Sequence, residues 1–110
     1  MRLRLPSKNV CERFHLTYEL EGAQKGANIL TKYYRVKKMK VVVDGRKVSK
    51  GYSAEYFRNN AYFKRGEIRK RLVLHELYHH IVEAKGIVMQ RRKEEMLADE
   101  FARKVMKRRA

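Results

Sequence analysis

Between Glu67 and Lys85 the chain places apolar residues at helical spacing on almost every side, with two histidines among them. At 100° per residue, Ile68, Leu72, His75, His79 and Val82 fall on one face, while Leu74, Leu77, Tyr78 and Ile81 cover the other. A helix that is apolar nearly all round is buried on both sides, so the rest of the chain must wrap it. Gly66 precedes this helix, Glu67 suits the positive end of its dipole, and Gly86 is placed to stop it in a left-handed cap. Arg69, Lys70 and Arg71 keep its first turns in water. An unpaired imidazole inside such a setting is costly, so His75 and His79 must have partners.

Residues 75–79 read His-Glu-Leu-Tyr-His. Four residues apart on a helix, His75 and His79 project from one face a turn apart and can bind one metal ion. Glu76 sits beside them, where its carboxylate can take a proton from water at that metal. A third ligand is then needed, and no histidine follows His80, so a carboxylate is expected. A second helix, Arg91–Arg109, carries Leu97, Ala98, Phe101, Ala102 and Val105 as its apolar stripe and offers Glu94 and Glu95. Glu94 lies nearer the stripe's centre, pointing at the core, and Glu95 lies on its edge with Asp99 one turn further on. Position alone does not decide between the two. Asp99 favours Glu95, because it could accept the other N–H of a ligating histidine and fix its tautomer. The alternative for the two histidines is a core pair bonded to backbone or acids. For Glu95 and Asp99 it is a solvated i, i+4 face opposing lysine and arginine.

A chain of 110 residues makes one domain, residues 1–110, with a single modest core. Its 44% hydrophobic and 36% charged content fits a globular protein, and no apolar run approaches bilayer length. The N-terminus lacks the apolar segment and cleavage site of a secretory signal, and the lone Cys11 cannot form an internal disulfide. A cytoplasmic location and no membrane partner follow as expectations. The net charge of +16 is spread along the chain. It reads either as a surface that attracts nucleic acid or an acidic protein, or as a solvated basic coat. No RNA-binding signature, zinc-finger spacing or recognition helix accompanies it.

The rest of the chain outlines an α+β fold. Ser7 is positioned to cap a helix over 7–21 in which Val10, Phe14 and Tyr18 recur every four residues. Gly22 and Gly26 bracket a break, and 28–34 is a weaker helical stretch. The β-branched run Met39–Val43 ends at Asp44-Gly45, a hairpin signal, and is followed by Arg46–Ser49. Tyr52–Phe57 alternates loosely, and Asn59-Asn60 suggests a tight turn before Ala61-Tyr62-Phe63. The expectation is a small antiparallel sheet of about three strands packed on the histidine-bearing helix and the glutamate helix that follows it.

His-Glu-Leu-Tyr-His followed by Glu95-Met-Leu-Ala-Asp99-Glu-Phe-Ala102 resembles the gluzincin metallopeptidases. The Glu-x-x-Ala-Asp-x-Phe-Ala pattern is similar to the glutamate helix of CAAX prenyl protease and HtpX-type peptidases, and to a segment of ImmA/IrrE-type peptidases. The resemblance spans roughly 60–106 and implies a zincin-like domain. It makes His75, His79 and Glu95 ligands of Zn2+, Glu76 the general base and Asp99 a support to a ligand. Asn60-Ala61-Tyr62-Phe63 is similar to the edge strand along which gluzincins lay their substrate as an added strand. The chain departs from the prenyl proteases in lacking membrane spans. It departs from the similarly small minigluzincins in having no third histidine ligand, although their latency suggests self-association or a self-blocked form here. Many gluzincins steady the oxyanion with a downstream Tyr or His; residues 96–110 contain neither, so His80, Tyr52, Tyr56 or Tyr62 is expected as a substitute.

The expected function is zinc-dependent hydrolysis of a protein or peptide, either latent or regulatory. The substrate would be a DNA-binding repressor if ImmA/IrrE is the nearer kin, and an acidic or nucleic-acid-associated protein if the basic surface selects it. The rival is a basic nucleic-acid-binding or regulatory module in which a structural or vestigial zinc braces two helices.

Overall fold

The computed structural model describes residues 3–108 as four helices and three strands. In chain order these are α1 (Lys8–Glu21), α2 (Ala23–Tyr33), β1 (Lys40–Val43), β2 (Ala54–Phe57), β3 (Asn60–Phe63), α3 (Lys70–Ala84) and α4 (Arg91–Lys107). Arg109, the last residue of the expected second helix, lies outside the described residues.

The helix ends have local causes. Ser7 caps α1 through its Oγ, which accepts from the Val10 N–H at 3.3 Å. Gly22, at φ +96, separates α1 from α2. The second helix begins at Ala23, so Gly26 lies inside it and not in a turn. A Cβ at Gly26 would come within 3.0 Å of the Tyr18 Cβ, so the two helices approach as closely as glycine allows. The end of α3 follows the expectation. Gly86 adopts φ +67, its N–H reaches the Glu83 carbonyl at 3.0 Å, and the Ile87 N–H reaches the Val82 carbonyl at 3.0 Å. Those paired bonds are a Schellman motif. The start of α3 is three residues later than expected. Gly66 at φ +79 and a turn from the Glu67 N–H to the Lys64 carbonyl keep 67–69 outside the helix, and Glu67 pairs with Arg69.

The sheet is mixed and not antiparallel, with strand order β1-β3-β2. Strands β2 and β3 form a hairpin closed at Phe57 and Asn60, its turn made by Arg58 and Asn59 at φ +44 and +69. Two positive φ values in succession match the twist of a type I′ hairpin. The turn therefore falls one residue earlier than the Asn59-Asn60 reading. Strand β1 runs parallel to β3, in register from Lys40 opposite Asn60 to Val43 opposite Phe63. The Asp44-Gly45 pair does not fold β1 back on itself. Asp44 Oδ1 accepts from the Arg46 N–H at 3.1 Å and caps a 3-10 turn over Gly45–Lys47, so no strand forms at 46–49.

Helix α3 is the hub, touching the sheet, α2 and α4. Val73, Leu74, Leu77 and Ile81 are fully buried and share one core with Ala61 and Phe63 of β3. The stripe expected on α4, from Leu97 to Val105, is buried against the same core. Phe101 meets Tyr78 with ring centroids 5.6 Å apart. The α1–α2 hairpin closes the other side, tied down where His15 Nε2–H donates to the Val105 carbonyl at 2.9 Å. Among the described residues, no helix is long and apolar enough to cross a membrane.

Candidate metal centre

Helices α3 and α4 pack against each other, and a cleft of about 930 Å³ opens along their seam with β2 as its opposite wall. On α3 the cleft side is the one line of the helix left partly open, through Leu72, His75 and His79. On α4 it is the first three turns, where Glu94, Glu95 and Asp99 precede or flank the buried stripe.

His75, His79 and Glu95 come together at one point. The two Nε2 atoms are 3.2 Å apart, and Glu95 Oε2 lies 3.4 Å from that of His75 and 3.1 Å from that of His79. Donors at about 2.0–2.1 Å from a tetrahedral ion are about 3.3–3.4 Å from one another, so this triangle has the size of one tetrahedral face. Two neutral nitrogens and a carboxylate are also a donor set that such an ion takes. The three residues could therefore hold a metal ion, and they fit it in both spacing and chemistry.

Each imidazole is aimed by a second carboxylate. His75 Nδ1 lies 2.9 Å from Asp99 Oδ1, and His79 Nδ1 lies 2.5 Å from Glu94 Oε2. A carboxylate only accepts, so in the neutral ring the proton sits on Nδ1 and the Nε2 lone pair is left facing the shared point. The part expected of Asp99 is thus one the geometry fits. Glu94, read as pointing at the core, makes the equivalent contact to His79, which the sequence reading missed. The signal was available: an acid in line with an apolar stripe needs a donor, and His79 is the one within reach.

Glu76 is buried, only 5% exposed, yet it lines the cleft. Among the described residues its carboxylate has no hydrogen-bond donor. Burial raises its pKa to about 7, with His75 opposing the shift and Glu95 and Glu55 adding to it. A carboxylate so placed can take and return a proton near neutrality.

The histidine next to His79 has a different task. His80 is fully buried, its Nε2 bonded to the Lys37 carbonyl at 2.6 Å and its Nδ1 to the Tyr56 hydroxyl at 2.9 Å. The Tyr56 hydroxyl also accepts from the Asn59 N–H at 3.0 Å. Both groups are engaged in holding the hairpin to α3, and neither is free to steady an oxyanion. Tyr62 does not line the cleft, whereas Tyr52 does.

Asn60, Ala61, Tyr62 and Phe63 are not an edge strand. They form β3, the middle strand, whose main-chain groups pair with β1 on one side and β2 on the other, so no substrate can add to it. The strand along the cleft is β2. The Ser53 carbonyl accepts from the Lys64 N–H, and the antiparallel alternation leaves the main-chain groups of Ala54 and Tyr56 turned to its outer edge. The basic character of the chain is not carried into the cleft either. Glu55, Glu76, Glu83, Glu94, Glu95 and Asp99 line it against Arg58 and Arg91.

No protein-family model, curated protein or solved structure matches this chain.

Proposed function

We propose that the chain is a gluzincin-type zinc peptidase that hydrolyses peptide bonds in the cleft between α3, α4 and β2. The observation that carries the reading is the Nε2–Nε2–Oε2 triangle of His75, His79 and Glu95 with the buried carboxylate of Glu76 beside it. Two histidines and a carboxylate also serve iron sites, and Glu76 is what favours hydrolysis over redox chemistry. Zinc bound there would polarise the scissile carbonyl and lower the pKa of water.

His75, His79 and Glu95 hold the ion, and Asp99 and Glu94 keep the two imidazoles turned towards it. Glu76 accepts the proton of the attacking water and delivers it to the leaving amine, leaving a free carboxylate for the next turnover. The peptide lies extended along the outer edge of β2, its main chain pairing with Ala54 and Tyr56. Sequence-independent main-chain pairing of this kind suits an unfolded or extended segment.

The test is hydrolysis of denatured casein by the zinc-loaded protein, with a chelator control and the Glu76→Gln variant. Cleavage that stops with chelator and in Glu76→Gln, while that variant still binds zinc, is the expected result. Full activity in Glu76→Gln would end the proposal.

A further inference from the structure

A second concavity lies away from the metal centre, between α1, α2 and the segment leading into β1. It measures about 510 Å³ and shares no lining residue with the cleft. Arg13 comes from α1, Lys25 and Lys32 from α2, and Lys38 from the segment before β1. All four are exposed, and none is ion-paired with a described carboxylate. Glu21, at one end, is the one acid of the lining.

The helical spacing makes this a track and not a scatter. Arg13, Thr17 and Glu21 are successive steps of four on α1, and Lys25, Asn28 and Lys32 follow a single stripe of α2. The run from 13 to 21 covers about 12 Å of helix, the rise of three or four phosphates along one strand of a duplex. Thr17 and Asn28 add neutral polar groups of the kind that position phosphates. Along the sequence the chain from α2 into β1 adds exposed Arg35, Lys37 and Lys40 without an intervening acid.

From this we infer that the groove between α1 and α2 binds the phosphodiester backbone of a nucleic acid. Its cations are spaced along two helices and the segment before β1 and do not converge on one point, so it suits a polymer of phosphates better than a single one. Its place beside β1, at the sheet edge opposite β2, leaves the cleft free while the polymer is bound. The contacts come from side chains at the backbone, so binding is independent of base sequence and steep in salt.

The experiment uses the full chain, a fluorescein-labelled mixed-sequence DNA duplex, the matching RNA duplex, and vesicles containing phosphatidylserine. Affinity is read by fluorescence anisotropy for the nucleic acids and by co-sedimentation for the vesicles, between about 50 and 200 mM salt. Lys25→Gln/Lys32→Gln/Lys38→Gln is compared with Arg65→Gln/Lys85→Gln/Arg103→Gln, which removes the same charge from exposed positions elsewhere. The groove variant is expected to lose at least about tenfold in affinity at 100 mM salt and about two to three units of the log–log salt slope. The control variant is expected to lose less than about threefold. The DNA and RNA arms show which polymer is preferred. Equal losses in the two variants, absence of nucleic-acid binding, or binding to vesicles alone would overturn the inference.

Discussion

The α3–α4 cleft and the α1–α2 groove are opposite in charge and in how they treat polar groups. Six of the chain's 12 acidic residues line the cleft, against two arginines, although the chain as a whole carries 28 lysines and arginines. The groove has four cations and one acid. In the cleft the polar groups converge, so they constrain one another: two half-buried imidazoles, three carboxylates in contact with them and a fourth, buried, beside them. In the groove the charged ends are exposed and only the helix backbones are fixed. The converging donors of the cleft could hold one small cation in a set geometry, whereas the groove presents a diffuse array of positive charge. Net charge describes neither region.

The comparison breaks first, and most strongly, at Glu76. Glu76→Gln should lower casein hydrolysis by at least about a thousandfold with zinc still bound, since a general base contributes roughly that much. Nucleic-acid affinity should stay within about twofold of wild type, because the groove lies elsewhere. Loss of both activities together would mean that the two regions are not independent.

Metal retention is the next separation. Asp99→Asn and Glu94→Gln leave the three donors in place but loosen their aim, and each should weaken zinc affinity by about 10- to 100-fold in a chelator competition. The groove triple variant should match wild type in that assay.

The cleft also carries a stability penalty that the groove does not. Glu76 has a folded-state pKa of about 7 against an ordinary 4.5, so the metal-free fold favours its protonated form. That contribution is full below pH 4.5, is lost as the pH rises towards 7, and stays lost above it. In metal-free protein Glu76→Gln should therefore be the more stable form above pH 7, by about 3 kcal/mol. Urea melts at pH 5 and pH 8 read the difference, and an advantage that does not grow with pH would contradict the burial argument. The smallest effect belongs to the hairpin: Gly26→Ala brings a methyl within 3.0 Å of Tyr18 and should destabilise the fold by about 1–3 kcal/mol without changing zinc affinity.

What could be read from the sequence was what rests on local spacing. The i, i+4 histidines, the apolar stripe of α4, the Ser7 cap and the Gly86 stop each depend on a few neighbouring residues, and each has its place in the structure. What could not be read was set by distant partners. Asp44-Gly45 has a hairpin's composition, but the Asp44 side chain closes a 3-10 turn and β1 pairs with a strand 20 residues on. The same parallel pairing puts 60–63 in the middle of the sheet, so the strand facing the cleft became β2. Gly26 looked like a breaker, because the Tyr18 contact that needs it lies on another helix. Glu94 fell between the two cases: its inward position was legible, its histidine partner was not.

The central claim is that donors from two helices converge on a single ion. Elemental analysis after zinc loading and desalting, on wild type and on Glu95→Ala side by side, tests it most directly. The account predicts about one zinc per chain in the wild type and less than about a tenth of that in the variant. Equal zinc in both proteins, or none in the wild type, would contradict it.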